Sequence, residues 1–588
     1  MKRIIAFFTV CILALAGCNS NSKNVSFKLN DERFETLYDD SYFLLDNKEY
    51  HQEIAYASLA SAMATVNNKK EDYSVRSANL VDLWKSEDFS NIYISDAYKV
   101  KPTLDSVGYG IASKKIGDFN LVAIALRSGA YEAEWASNFT VGYEGNAAGF
   151  QNSANLVLEG LKEYVATYGI KGHTKFWISG YSRGGGVANL LAGTILNSIE
   201  SGTFLEGVAS TKEDIYAYCF EPPSGANLPL ETVRSELYYG IHNVVNFNDV
   251  VPMVYPSTWE FYRFGQNHYY PDRITDINFD AKARRIMVGD YHFADNAKDH
   301  PKYRVDEWKF YDPGKEEAEW TNCPRESLHP SLGRFAQNLI KTLTYILGRF
   351  IWSGQEEGVR NIFATIHGYN PDVEGISISP SVFFDLLFSY SFLQTLFSEI
   401  IEKDYMAFVE DLEYAFLLLF NANSKNFEAI HKLYEDIFYL LLYAVPTLSM
   451  RPDIVHQLFS RDNLLMLTST HLAELNYPFL KSCDTRFHGE EACQLNDGSY
   501  YILHISEPTS ISIYEKTLEK NVFSYQDGKM SSDTLSAEKF ADGNIDIYMP
   551  KNGQYEYDIQ AEEIFLINVD EYNNETLVNE SMPASGTF

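Results

Sequence analysis

Short apolar runs alternate with longer amphipathic segments between residues 120 and 254. The predicted elements are strands at 121–126, 175–179, 215–219 and 242–247, and helices at 152–168 and 185–199. Strands and helices that alternate in this way are typical of a mostly parallel sheet with helices on both faces. The pattern therefore predicts an α/β fold.

The segments on either side of this region have a different pattern. Residues 27–100 read as mixed helix and loop, and the helical spacing of apolar residues in 50–60 predicts a layer packed on a core. Residues 332–467 are helical in pattern and rich in Leu, Phe and Tyr. The longest uncharged stretches there fall short of the roughly 18–20 apolar residues that a membrane span needs. This segment is predicted to be a helical insert, either a cap or a plain structural layer.

The chain becomes strand-like again after Cys493. Period-two alternation at 500–505 and 510–514, with Asp-Gly and Asn-Gly turns further on, predicts a separate β-sandwich over 494–588. We therefore divide the chain into an α/β core with its N-terminal layer (27–331), the helical insert (332–467), the end of the core (468–493) and the β-sandwich.

The N-terminus has the pattern of an export signal. Lys2 and Arg3 precede an apolar run over 4–16, which is too short to span a membrane. The run ends on a Leu-Ala-Gly-Cys sequence that resembles the lipobox of bacterial lipoproteins, which implies cleavage before a lipidated Cys18 and a tether over 19–26. The alternative is an ordinary signal peptide with an incidental cysteine. We expect an exported protein that is lipid-anchored to a bacterial membrane.

Charge and cysteine spacing exclude several functions. The net charge is −32, or −34 once Lys2 and Arg3 are cleaved away, so the surface repels nucleic acid. No cysteine pair has the spacing of a metal or redox site, and we expect no metal and no cofactor. Cys483 and Cys493 flank a short polar loop and are the predicted disulfide; free buried thiols are the alternative.

A Gly-x-Ser-x-Gly pentapeptide at 180–184 lies directly between a predicted strand and a predicted helix. A sharp strand-to-helix turn exposes a serine hydroxyl, and the helix directs its N-terminal N–H groups at a developing oxyanion. Ser182 is therefore the predicted nucleophile, and the backbone N–H of Arg183 the predicted oxyanion donor. A glycine-rich helix start without chemistry is the alternative.

A serine nucleophile of this kind needs an acid and then a histidine further along the chain. Asp249 ends a predicted buried strand and is the expected acid, unless it only caps the next element. The expected base is His471, because a loop there leads into an apolar helical segment. His292 and His300 are nearer to the acid but lie in polar stretches.

These motifs, in this order, resemble the class 3 lipase family. Residues 127–129 are similar to its oxyanion loop, which implies Gly129 as the second oxyanion donor, and 471–477 are similar to the histidine motif of its long bacterial members. Tyr181 stands where the family usually has His, and the order of Ser128 and Gly129 is inverted. The resemblance implies an α/β-hydrolase that cleaves lipid or other carboxylic esters.

Two other functions stay open. A peptidase or amidase would use the same three residues, and a non-catalytic lipid-binding or adhesion protein could keep the fold. The sequence does not predict an oligomeric state.

Overall fold

The computed structural model describes the greater part of the α/β core and of the β-sandwich, and short pieces between them. The described residues are 22–29, 32–66, 78–98, 105–128, 138, 145–253, 261–272, 274–289, 309–311, 320–322, 398–399, 404–419, 427–428, 430–431, 434, 470–483, 495–540, 542–571 and 575–587.

An N-terminal layer precedes the central sheet. A hairpin of β1 (Lys23–Leu29) and β2 (Glu32–Tyr38) is followed by α1 (Gln52–Ala64) and α2 (Ala78–Ser86). The hairpin corrects the prediction of helix and loop here, and β1 begins within residues 19–26, the segment predicted to be a tether. The period-two alternation of Val25 and Phe27, both buried, is the signal for this strand.

The central sheet has eight strands. In chain order, its strands and the helices between them are β3 (Ser90–Ile94), β4 (Tyr109–Ile116), β5 (Phe119–Leu126), α3 (Ala148–Tyr168), β6 (Gly172–Tyr181), α4 (Arg183–Glu200), β7 (Val208–Ala209), β8 (Ile215–Phe220), α5 (Leu230–Val233), β9 (Ile241–Val245) and β10 (Gln266–Tyr269). Short 3₁₀ turns lie at Asp40–Leu44, Asp96–Tyr98, Lys212–Asp214, Glu236–Tyr238 and Val251–Met253.

The strand order is β10-β9-β8-β6-β5-β4-β3, with β7 beside β6. The strands from β5 to β10 are parallel, whereas β3 and β4 are antiparallel to their neighbours. The sheet is thus mixed but mostly parallel, and the predicted α/β fold class is confirmed.

Successive residues of the central strands are buried on opposite faces of the sheet. In β8, Ala217 and Cys219 pack in the core shared with α3 and α4, while Tyr216 and Tyr218 pack in the core shared with the N-terminal layer. Strands that are covered on both faces are almost continuously apolar, as β8 is. The two cores therefore fix the end of the sheet at which these strands stop and the following loops begin.

In the described part of the chain, three helices and one hairpin lie between β10 and the C-terminal region. They are α6 (Phe279–Gly289), a hairpin of β11 (Lys309–Tyr311) and β12 (Trp320–Asn322), α7 (Tyr405–Leu419) and α8 (Ala473–Ser482). Of the predicted insert at 332–467, α7 is helical as expected, and most of the remainder lies outside the described residues. Among the helices that the structure describes, none is long and apolar enough to cross a membrane.

The C-terminal region is a β-sandwich of two five-stranded antiparallel sheets, as predicted. One sheet has the order β17-β18-β13-β20-β21 and the other β16-β15-β14-β19-β22. Their strands are β13 (Tyr500–Ser506), β14 (Ser510–Glu515), β15 (Lys520–Gln526), β16 (Lys529–Ser532), β17 (Ser536–Lys539), β18 (Ile545–Pro550), β19 (Tyr555–Gln560), β20 (Glu563–Val569), β21 (Glu575–Asn579) and β22 (Ser585–Thr587). The sandwich packs on the α/β core through Ile274, and an ion pair joins Arg234 to Glu571.

Candidate functional site

Ser182 occupies a sharp turn between β6 and α4. Its φ of 56° and ψ of −127° are a strained conformation for a residue with a side chain. Its backbone N–H donates to the Phe220 carbonyl at 2.9 Å, which ties the turn to the next strand. A Cβ at Gly184 would lie 2.6 Å from the Leu126 carbonyl oxygen, so this position excludes a side chain. The local backbone therefore presents the Ser182 hydroxyl at the strand ends.

Asp249 lies in the loop that follows β9, two strands away in the sheet. It is fully buried, and its Oδ1 accepts a hydrogen bond from the Val251 N–H at 2.9 Å. Its other oxygen, Oδ2, lies 2.5 Å from Nδ1 of His471. The structure thus brings the predicted acid to the predicted base.

His471 joins the acid to the serine. Its Nε2 lies 2.7 Å from Oγ of Ser182, so the imidazole bridges Ser182 and Asp249 in one hydrogen-bonded chain. The side chain of His471 is 21% exposed while that of Asp249 is 0% exposed, so the serine end of the chain faces solvent and the acid end does not. His292 and His300 lie outside the described residues.

Several contacts hold His471 in this position. The Tyr181 hydroxyl donates to the His471 carbonyl, and the two rings stack with centroids 5.4 Å apart. The Thr470 hydroxyl donates to the Asn248 carbonyl at 2.9 Å, which links the base to the acid loop. The following helix α8 buries Leu475 in the core beneath the N-terminal layer. The base is therefore fixed from both sides.

The structure describes one of the two predicted oxyanion donors. Arg183 is the first residue of α4, where backbone N–H groups have no intrahelical acceptor. Its side chain points into the protein, and its guanidinium donates to the Ser153 hydroxyl at 2.8 Å and to the Asn138 side chain at 3.1 Å. Gly129 lies outside the described residues. A Cβ added at Gly184 would lie 2.6 Å from the Leu126 carbonyl oxygen and 2.7 Å from that of Arg127, so the end of β5 lies beside the serine turn.

Sequence reasoning assigned no role to three residues that lie at the site. Tyr181 stacks on the base; its hydroxyl is buried next to acidic groups, and this burial raises its pKa. Arg263, 4% exposed, donates to the Pro222 carbonyl at 3.1 Å and the Pro252 carbonyl at 3.0 Å, and so joins the loop after β8 to the acid loop. Glu221 is fully buried beside Asp249. The sequence signal for Glu221 is a charged residue at the end of a buried strand, which indicates a role at the site.

Other predicted sites fall only partly on the described residues. Cys18 and Cys493 lie outside them, and Cys483 directly follows α8. The Cys483–Cys493 disulfide therefore stays a prediction. Within the described part of the chain, no group of three or more His, Cys, Asp or Glu residues could hold a metal ion.

Comparison with known families identifies the serine-bearing segment. Residues 125–259 match the model of the lipase (class 3) family. The predicted resemblance to class 3 lipases is confirmed over this segment, which runs from the end of β5 through the serine turn to beyond Asp249. The match supports a hydrolase of the lipase type. The chain as a whole matches none of the curated proteins.

Several solved structures of lipases match part of the chain. A triacylglycerol lipase with a serine protease triad at its catalytic centre is 18% identical, over 38% of this chain and 83% of that chain, with a TM-score of 0.27. The Rhizomucor miehei lipase in its propeptide complex is 15% identical, over 38% and 70%, with a TM-score of 0.26. Lipase II from Rhizopus niveus is 13% identical, over 42% and 83%, with a TM-score of 0.24.

Proposed function

We propose that the protein is a serine hydrolase that cleaves carboxylic esters, with lipid esters such as acylglycerols as the substrate class. The observation that carries the proposal is the hydrogen-bonded chain from Ser182 through His471 to Asp249. The match of residues 125–259 to class 3 lipases supports ester substrates over amides.

The proposed reaction passes through an acyl-enzyme. Oγ of Ser182 attacks the ester carbonyl carbon while Nε2 of His471 takes the hydroxyl proton. The N–H groups of Arg183 and Gly129 bind the oxyanion. When the tetrahedral intermediate collapses, the ester C–O bond breaks and His471 gives the proton to the leaving alcohol. Water then attacks the acyl-enzyme by the same steps and releases the carboxylic acid.

Asp249 acts on His471 rather than on the substrate. Its Oδ2 accepts the Nδ1–H of the imidazole, which leaves Nε2 as the lone-pair nitrogen that faces Ser182. Its negative charge then stabilises the imidazolium that forms when the proton is taken. Because Asp249 is fully buried, water does not screen this interaction.

Replacement of the nucleophile tests the proposal. Ser182→Ala should lower hydrolysis of short p-nitrophenyl esters by about 10⁴-fold or more, because the triad acts as a unit. Ser198→Ala is the matched control, since its hydroxyl only donates to the Thr194 carbonyl within α4. Circular dichroism checks that both variants fold. Full ester hydrolysis by folded Ser182→Ala would reject the proposal.

The type of bond is tested with matched substrates. An acyl group presented as its p-nitrophenyl ester and as its p-nitroanilide separates the esterase from the peptidase or amidase alternative. We expect much faster turnover of the ester than of the anilide. Faster anilide cleavage would assign an amidase, and turnover of neither substrate by the folded protein would favour a non-catalytic lipid-binding role.

We also propose that the protein acts outside the bacterial cytoplasm, held by acyl chains on Cys18. The support is the signal-like N-terminus and its Leu-Ala-Gly-Cys sequence. In a bacterial host the wild-type protein should fractionate with membranes, and Cys18→Ala should not be processed to the lipidated form. Identical processing of the two forms would contradict the anchor.

A further inference from the structure

Glu221 is a second buried carboxyl group at the acid end of the proposed triad. It directly follows β8, is fully buried and has a φ of 46°, in the left-handed region that side chains rarely adopt. Both the strain and the burial of a carboxyl group cost free energy, and strain of this kind is often found at functional sites.

The hydrogen bonds around the two carboxyl groups are unequal. Asp249 accepts from the Val251 N–H through Oδ1 and from His471 through Oδ2, so donors occupy both oxygens. Glu221 accepts from the Asn246 N–H through Oε2, at 2.8 Å. Its Oε1 is buried, and no N–H or hydroxyl donor in the described structure reaches it. The carboxyl groups of Glu221 and Asp249 are neighbours, close enough to interact through a side-chain hydrogen bond if one of them carries a proton.

Charged and titratable groups from several elements face this pair. They are Arg263 before β10, Tyr181 at the end of β6, Tyr270 after β10 and, across Tyr181, Glu474 on α8. The cation among them does not bind either carboxyl group, because the guanidinium of Arg263 donates to backbone carbonyls and to neutral side-chain oxygens. Arg263 therefore forms no ion pair with either group, and the cost of burying two adjacent carboxyl groups has to be lowered within the pair itself.

Two adjacent buried carboxyl groups cannot both be ionised without a large cost, and such pairs share one proton. The proton belongs on the oxygen that lacks a donor, which is Oε1 of Glu221. We propose that Glu221 is a protonated positioning residue, whose carboxylic acid donates a hydrogen bond to Asp249 and so orients the carboxylate that binds His471. Burial and the charge of Asp249 both raise the pKa of Glu221, in agreement with this arrangement.

The inference rests on the proposed triad and deepens it. Glu221→Gln supplies a neutral N–H donor to Asp249 and keeps an oxygen for the Asn246 N–H. Glu221→Leu removes both. If Glu221 is protonated, Glu221→Gln should have the kcat of the wild type within about twofold and the same acid limb of its pH–rate profile. Glu221→Leu should lose about tenfold in kcat, the effect of one hydrogen bond to a charged group.

The rival state, an ionised Glu221, gives a different profile. Removing a negative charge next to Asp249 would destabilise the imidazolium of His471, so Glu221→Gln would move the acid limb to lower pH by about one unit. That shift, or a wild-type kcat in Glu221→Leu, would overturn the inference.

Two measurements do not depend on hydrolysis, so they separate failure of this inference from failure of the proposed function. A protonated carboxyl group has its own C=O band in the infrared, and Glu221→Gln should remove one such band at neutral pH. Folding takes up a proton at Glu221, so the free energy of unfolding should fall as pH rises above the usual glutamate range. Glu221→Gln should make this slope shallower.

Glu87 offers a matched control. It is also fully buried, and burial raises its pKa, but its charged neighbours are Lys114 of β4 and Asp40 of the N-terminal layer rather than the triad. Glu87→Gln should change the infrared band and the stability slope in the same way, with no change in kcat or in the acid limb. An infrared spectrum unchanged by Glu221→Gln would refute protonation of Glu221 even if the enzyme proved inactive on every ester.

Discussion

Ser182 and His471 meet at 2.7 Å, but the structure holds the two residues in different ways. Ser182 is positioned by its immediate neighbours: the end of β6 with Gly180 and the start of α4 with Gly184. His471 arrives 289 residues later and is positioned by contacts with segments that are distant in the chain. The nucleophile is a local feature of the sequence, whereas the base depends on tertiary packing.

The helix that follows His471 is supported by the N-terminal layer. The Tyr477 hydroxyl donates to the Glu35 carbonyl of β2 at 2.5 Å, and Gln52 of α1 donates to the Leu480 carbonyl at 3.0 Å. Tyr477 also packs edge-on against Phe34. The layer over residues 27–100 is predicted from sequence as packing alone, yet it forms the support for the base.

The largest expected effect comes from removing the base. His471→Ala should lower kcat/KM for ester hydrolysis by about 10⁴-fold or more, because loss of one triad member removes most of the rate enhancement. His292→Ala and His300→Ala should keep nearly the wild-type kcat/KM. If His300→Ala were inactive and His471→Ala active, the base would lie before the helical insert. The contrast between a local nucleophile and a distant base would then be wrong.

A smaller loss of kcat is expected when the turn that holds Ser182 is disturbed. In Gly184→Ala the new methyl group would lie 2.6 Å from the Leu126 carbonyl, so the turn or the loop beside it must move. Overpacking of this kind costs about 1–3 kcal/mol, and a misplaced serine should lower kcat about 10- to 100-fold.

Gly186→Ala is the comparison for that variant, because the nearest neighbour of a Cβ there, among the described residues outside the helix backbone, is the Pro223 ring at 3.3 Å. It should be much less impaired in kcat. Equal losses in the two variants would show that helix packing, rather than the serine turn, determines the effect.

The smallest effect tests the distant support of the base. Tyr477→Phe loses the hydrogen bond to Glu35 and should cost about 1 kcal/mol of unfolding free energy together with a several-fold fall in kcat. Tyr164→Phe also loses a buried hydroxyl, on the opposite face of the sheet, where it contacts the Asn91 carbonyl at 2.8 Å and the Ser113 hydroxyl at 2.9 Å. Urea unfolding should show similar losses for both, with kcat unchanged in Tyr164→Phe. A normal kcat in Tyr477→Phe would mean that the loop alone positions His471.

The difference between local and tertiary positioning also explains which parts of the fold can be predicted from the sequence. Strands such as β6 and β8 are apolar and bounded by turns, so the parallel part of the sheet and the serine turn follow from local pattern. The β1–β2 hairpin does not follow from the pattern although Val25 and Phe27 alternate, because only a few residues carry the alternation. The antiparallel strand β4, which contains Lys114 and Lys115, has too polar an end to read as a central strand.

The roles of Glu221 and Tyr181 could not be predicted because they depend on contacts across the sheet. Glu221 becomes a neighbour of Asp249 only when β8 and β9 pair, since its backbone N–H donates to the Val244 carbonyl at 2.8 Å. Tyr181 reads in the sequence as a departure from the lipase pattern, but it stacks on the imidazole of His471. Local pattern predicts which elements form and where candidate residues lie in them, whereas the roles of Glu221 and Tyr181 arise from contacts between segments that are distant in the chain.

Labelling with a fluorophosphonate tests the central claim most directly, because the reagent phosphonylates an activated serine whatever the natural substrate. Mass mapping of the folded wild-type protein should find the label on Ser182, and His471→Ala should react far more slowly than the wild type, His292→Ala or His300→Ala. Absence of label from the folded wild type, a label on another serine, or undiminished labelling of His471→Ala would contradict the account.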